Sequence, residues 1–319
     1  IVFSNAYGGW VRNVRSVQAN RSHVWLFQAA RIEILDSYFH GNRIEAAQSY
    51  GMEVFTTADN LILNNIFHKV TTPVMTGASA GSVVAYNFMT DMTYYVPSWM
   101  MAGLIGSHDA GTGMNLFEGN VGNQFLMDAY HGTGNLVTLF RNRLTGTEPG
   151  KNQGNTIPVN IWSYNRLVNI VGNVLGTPAY HTVYEDSALG TPGVPERSIY
   201  VLGYAGVLEM IIGGLSYDPW VASTLVRWGN FDYATNQTHW NPSEVGSGAV
   251  PPDHTLPPSF FLFSKPSWWG NMPWPAIGPD VTGGQDASGH AYKIPSEICY
   301  ESSPRDTDGV LIFNANNCY

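Results

Sequence analysis

Asn115-Leu116-Phe117-Glu118-Gly119-Asn120-Val121 is an apolar strand, a small residue, an Asn and another large apolar residue. The same phrase runs down the chain as Asn60-Leu61-Ile62-Leu63-Asn64-Asn65-Ile66-Phe67 and Ser82-Val83-Val84-Ala85-Tyr86-Asn87-Phe88-Met89. It returns as Leu139-Phe140-Arg141-Asn142-Arg143-Leu144, Val168-Asn169-Ile170-Val171-Gly172-Asn173-Val174-Leu175 and Leu225-Val226-Arg227-Trp228-Gly229-Asn230-Phe231. Asn65 to Asn87 is 22 residues and so is Asn120 to Asn142; Ser16 to Ser37, in weaker copies, is 21. A period near 22 suits one coil of a parallel β-helix, with three short strands and three turns stacked on the coil before. Longer intervals, 28 from Ser37 to Asn65, 33 from Asn87 to Asn120 and 31 from Asn142 to Asn173, mark insertions at turns.

A side-chain amide carries both a donor and an acceptor, so identical amides one strand spacing apart can bond in a continuous ladder. Asn also tolerates the left-handed backbone of a sharp corner. The expected fold is therefore all-β, a solenoid with an Asn ladder. Residues 1–240 are assigned to the coils and 241–319 to a tail packing on them, because nine prolines fall between Pro242 and Pro279 and proline at that density excludes ladder strands. The tail's Trp268-Trp269-Gly270-Asn271-Met272-Pro273-Trp274 reads either as packing or as a sugar-stacking platform. Cys299 and Cys318 read as a disulfide closing a small C-terminal cap, with two free thiols as the alternative; the disulfide implies an oxidising, extracellular setting.

Charged residues are 12%, the net charge is −9 and Lys plus Arg number 15, which leaves no basic field for nucleic acid. No apolar stretch is long enough to span a membrane. The chain begins with repeat-like residues, so an upstream cap is expected to be missing. The bare edge would favour end-to-end self-association.

Counting back from each ladder position stacks Phe27, Phe55, Gly77, Ala110 and Gly132 as equivalents, provided no insertion intervenes. Two residues earlier it stacks Trp25, Glu53, Met75, His108 and Tyr130, and four earlier His23, Gly51, Pro73, Gly106 and Asp128. Residues at i and i+2 of a strand share a face, so one face gathers carboxylates, imidazoles and rings. Glycoside hydrolysis needs an acid for the leaving oxygen, a base for water and rings to stack on pyranose faces. The candidate catalytic residues are Glu53, His108, Asp109, Asp128 and His131, with His23, Trp25 and Tyr130 as candidate substrate-binding residues. Each of the five candidate catalytic residues also fits a turn role bonding backbone. Glu118 reads as a solvated turn carboxylate, and Arg141 and Arg143 as exposed strand charges or as the basic pair of a lyase. His40, His68 and His181 have no evident acidic partner, and no Cys/His cluster suggests a metal.

The ladder, coils and tail together resemble secreted bacterial right-handed parallel β-helix proteins of the pectate-lyase-like superfamily, at the level of architecture over essentially the whole chain. The resemblance implies a right-handed helix and polysaccharide as partner. It does not supply a site: only His131-Gly132 matches part of the Gly-His-Gly segment of polygalacturonase-like hydrolases, and no adjacent Asp-Asp pair is present. Three functions follow as expectations. The first is a secreted hydrolase of a neutral or weakly acidic polysaccharide, needing no cofactor; the second is a non-catalytic adhesive or filament-forming solenoid; the third is a Ca²⁺-dependent lyase.

Overall fold

The computed structural model describes residues 1–148, 154–186, 196–204, 216–246 and 248–319. The expected turn excursions at 145–157 and 184–222 lie partly outside them. The described chain is all-β and solenoid-like: its strands stack in three ladders, parallel throughout the coils. The first ladder holds Val2–Ser4, Val24–Phe27, Tyr50–Ala58, Thr72–Ala80, Leu104–Asp109, Phe125–His131, Val159–Trp162 and Ser198–Tyr204. The second runs from Tyr7–Arg12 to Val226–Trp228, and the third from Arg15–Ala19 to Asn230–Asp232.

Residues in register share an environment, and this produces the core. In the second ladder Ile34, Ile62, Val84, Phe117, Leu139 and Ile170 stack in one line, all fully buried. Each such side chain contributes roughly 1.5–3 kcal/mol relative to exposure. The line ends at Arg227, which pairs in register with Ile170 and carries its charge to Glu185 and Glu244.

The Asn ladder forms as expected. Asn65 Nδ2 donates to Asn87 Oδ1 at 3.0 Å, Asn87 to Asn120 at 2.9 Å, Asn120 to Asn142 at 3.0 Å, Asn142 to Asn173 at 3.0 Å and Asn173 to Asn230 at 2.9 Å. The left-handed residue of the corner is not the ladder Asn but the one before it: Asp36, Asn64, Tyr86, Gly119, Arg141, Gly172 and Gly229 all have φ between 46° and 68°. This is why glycine recurs at that point of the phrase. Ser16 is not an early copy. Arg15 pairs with Tyr38 and the amide of Val14 donates to Ser37 Oγ, so Val14 occupies the ladder position.

Tyr86 and Arg141 accept a conformation that costs a non-glycine residue about 1–2 kcal/mol, and both are offset by the tail. Tyr86 packs edge-on against Trp269 at 4.9 Å and donates to Glu118 Oε1 at 2.7 Å, whose other oxygen accepts from the amide of Phe260. Glu118 is fully buried, which corrects its reading as a solvated carboxylate. Arg141 grips Asp280 with two bonds of 2.6 and 2.8 Å and donates to the carbonyls of Ile277 and Pro257. Arg143 binds Glu297 at 2.6 Å. These arginines are tail clamps, neither exposed strand charges nor a free basic pair.

The tail covers the outside of the third ladder, where Ile66, Phe88, Val121 and Phe231 cluster with Trp269, Ile277, Ile294 and Leu311. Trp269 is buried and bonds the Pro273 carbonyl, so it packs rather than offering a platform. Cys299, in the helix Pro295–Ser302, is disulfide-bonded to Cys318. No helix among the described residues is long and apolar enough to cross a membrane.

His23, a candidate ligand contact by sequence, is an interior residue only 2% exposed. Its Nε2 donates to the Gly41 carbonyl and its Nδ1 accepts from Ser16 Oγ, both at 2.8 Å. Burial pushes it down to about 4. The unfolded chain takes up this proton near 6.5, the folded chain only near 4, so stability is lost as pH falls through that window. The loss approaches roughly 3 kcal/mol at pH 4. Urea unfolding at pH 7 and pH 4.5 should show a smaller pH slope in His23→Gln than in the wild type; equal slopes would exclude His23 as the source.

Candidate active site

Outward-facing side chains of the first ladder form a column: Trp25, Glu53, Met75, Ile105, Leu126, Asn160 and Val201. The sequence alignment holds as far as Met75 and then fails. Five residues separate Met75 from Ala80, but eight separate their partners Ile105 and Gly113. The extra residues produce register shifts between Ile105, Ser107 and Asp109, and a bulge of this kind re-aims the side chains on it. His108 and Tyr130 therefore stand beside the column rather than in it.

The bulge builds the polar centre. His108 Nδ1 donates to Asp128 Oδ2 at 2.7 Å, which leaves Nε2 as the other reactive nitrogen. Asp128 is 1% exposed, and its second oxygen accepts from the amide of Tyr130 at 3.0 Å. Burial works against the imidazolium, but the bond and charge of Asp128, helped by Asp109 and Glu53, outweigh it and raise His108 above the usual histidine range. His131 meets His108 edge-to-face at 4.9 Å, and Tyr130 leans on Trp162 at 5.3 Å.

His108, Asp128, Tyr130 and His131 line one side of a cavity of about 630 Å³, within the usual size of a small-molecule site. The excursion after the third ladder's Phe88–Thr90 supplies the opposite wall through Tyr94, Val96, Trp99 and Met101. It is held by the amide of Met100 donating to the Gly154 carbonyl and by Asn155 Nδ2 donating to the Met100 carbonyl. Turn insertions thus provide a binding wall, as the long intervals suggested. Trp162, Tyr204 and Glu196 line it as well. Among the described residues that line the cavity there is no Arg or Lys.

Glu196 escaped the sequence reading. Burial, with the charge of Asp186 second, pushes its carboxyl up to about 7. Its strand neighbour Tyr200 lies in register with Val159, which pairs with Phe125; Glu196 precedes Tyr200 by four residues and Asp128 follows Phe125 by three, so the two lie two coil steps apart across the ladder and towards opposite ends of it along the strands. No repeat or motif marks it; only the stacking brings it to the cavity.

The remaining candidates lie outside the cavity lining. Glu53 binds Arg21 at 3.0 Å and Ser22 Oγ at 2.9 Å. Asp109 lies over Gly77, where a Cβ would overlap its carboxylate and touch the Phe55 ring, and burial raises it. Trp25 packs on Phe27 at 5.3 Å. His40 and His68 share a buried network with Tyr38, and His181 bonds Thr156 and Thr177. Among the described residues no group of three or more His, Cys, Asp or Glu is arranged to hold a metal.

Comparison of the chain with family models, with curated proteins and with solved structures found no match.

Proposed function

We propose that this chain is a right-handed parallel β-helix and a secreted glycoside hydrolase acting on an uncharged polysaccharide in the first-ladder cavity. The carrying observation is the hydrogen-bonded Asp128–His108 pair lining a ring-walled cavity. The right-handed sense follows the strong preference of parallel crossovers, and the disulfide fits an oxidising compartment.

In this reading the His108 imidazolium, sustained by Asp128, protonates the glycosidic oxygen as the bond to the anomeric carbon breaks. Water attacks that carbon and releases its proton to solvent, so one product ends as an alcohol and the other as the hemiacetal of a new reducing end. Tyr130, Trp162 and Tyr204 offer faces for sugar rings. The absence of Arg and Lys among the described lining residues supports an uncharged substrate over a uronate, and the occupation of Arg141 and Arg143 by the tail removes them as a lyase's base.

A panel of neutral and uronate polysaccharides, read for reducing ends and for ultraviolet-absorbing products with and without chelator, tests this. New reducing ends from a neutral glycan, insensitive to chelator, are expected. Unsaturated products lost on chelation would replace the hydrolase with a lyase, and silence across the panel would remove the enzymatic reading.

A further inference from the structure

The C-terminal cap lies over a buried knot of titratable groups that the cavity does not use. Tyr38 Oη is 3.0 Å from Nδ1 of His40 and 3.0 Å from Nδ1 of His68, and the two nitrogens face each other at 3.1 Å. His40 and His68 are register partners on neighbouring strands of the third ladder, both 5% exposed, and Tyr38 is fully buried. The cap closes over them. Tyr300 meets His68 edge-on at 5.2 Å, Phe313 packs on Tyr38 at 5.9 Å, and the amide of Leu311 donates to Tyr38 Oη at 3.4 Å. Proton counting limits what the knot can hold. His68 Nε2 stands 3.7 Å from the Asp91 carboxylate, which favours the neutral ring's proton on that side and leaves Nδ1 as an acceptor. Tyr38 then donates to His68 Nδ1 and accepts from His40 Nδ1, so two protons fill the triangle. One more would set two hydrogens head to head between the facing nitrogens and strand the tyrosine's donor.

We infer that the His40–His68 pair is an acid-sensitive latch, in which uptake of a proton breaks the triangle with Tyr38 and releases the C-terminal cap from the third ladder. The charges around the knot do not offset that proton. Asp91 is shared with Lys69 at 3.8 Å, and Asp306 of the cap is bonded to Arg15, which also holds the Leu311 carbonyl. Arg305 lies over the Tyr300 ring at 4.5 Å, and His23 lies on the interior side. Under the closed cap, burial first and then the charges of His68, Lys69, His23 and Arg15 hold His40 down at about 4. Once uncovered the ring returns to its ordinary value near 6.5. Opening therefore binds a proton, so the cap is held fully above about pH 6.5 and progressively less as pH falls towards 4. Release bares the outer side of the third ladder, where Tyr38, Ile66 and Phe88 lie against the tail. This inference is independent of the glycan reading.

Hydrogen exchange read by mass spectrometry at pH 7 and pH 4.5, corrected for the intrinsic pH dependence of the chemical step, tests this. The measurement is made on His23→Gln, which removes the loss of overall stability that His23 itself brings on acidification. The opening of residues 300–313 should rise roughly 50-fold between the two pH values, and that of residues 115–144 in the central coils should rise far less. Adding His40→Gln supplies an amide to donate to Tyr38 but nothing to titrate, and should cut the cap's rise by about tenfold or more while the coils are unchanged. His68→Gln is the second variant, with the same expected loss, should His40→Gln fail to fold. A rise of equal size in cap and coils, no rise in the cap, or a full rise that survives both substitutions overturns the inference.

Discussion

Replacing Asn120 by Leu is expected to destabilise the fold by roughly 4 kcal/mol or more, among the largest effects of any single substitution. Asn120 Nδ2 donates to the Val84 carbonyl at 2.8 Å and to Asn142 Oδ1 at 3.0 Å. Its Oδ1 accepts from the backbone and side-chain amides of Asn87 at 3.1 and 2.9 Å. A leucine removes all four bonds at once and leaves their partners in a corner without water, where each unmade bond costs about 1–3 kcal/mol. Strand propensity gives no comparable gain. Asn230 should lose less, because it has an amide neighbour only on one side: its Oδ1 accepts from Asn173 and its Nδ2 turns to the Ile170 carbonyl. Guanidinium unfolding of Asn120→Leu and Asn230→Leu, with exposed Asn316→Ala as the control, measures the gradient. A loss under ~1 kcal/mol at Asn120, below that of a typical single hydrogen bond with its partner stranded, would mean that the ladder accompanies the fold without holding it.

The second large effect falls on catalysis. Asp128→Asn keeps the size of the side chain but withdraws the charge that holds His108 protonated, and kcat/KM should fall by about 10²- to 10⁴-fold, the usual contribution of a general acid or base. The pH profile separates this from a structural defect. His108 must be protonated to act as acid, so the rate declines as pH rises through its elevated value. In Asp128→Asn that alkaline decline should move to lower pH. A mutation that only loosened the fold would lower the rate at every pH alike. Glu53→Gln, although Glu53 is a carboxylate of the same column, should keep most of the activity, because Arg21 and Ser22 already occupy it.

The architecture was legible because it repeats. A ladder Asn sits in the same buried corner of the coils from Asn65 to Asn230, so its chemistry selects the same residue each time and the phrase becomes visible without any long-range knowledge. The left-handed residue before it was harder to see, since glycine, Tyr86 and Arg141 fill that place by different means. Arg141, Arg143 and Glu118 were misread for one reason. Their partners Asp280, Glu297 and Phe260 lie more than a hundred residues away in a tail without periodicity.

The site was legible in part. His108, Asp128, Tyr130 and His131 share the cavity as their Gly-flanked His and Asp suggested. The reasoning that placed them there counted through a bulge it had assumed absent. Glu196 and Trp162 belong to neither motif nor repeat, and only the stacking of the first-ladder strands brings them to the cavity that Asp128 lines.

The most direct test of the hydrolase assignment is the initial rate of reducing-end release from the reactive glycan, measured side by side for the wild type and His108→Gln at the wild-type pH optimum. A rate at least a hundredfold lower in the variant, the lower range for removal of a general acid, is the expected result. Equal rates would place the chemistry somewhere other than the cavity beside Asp128.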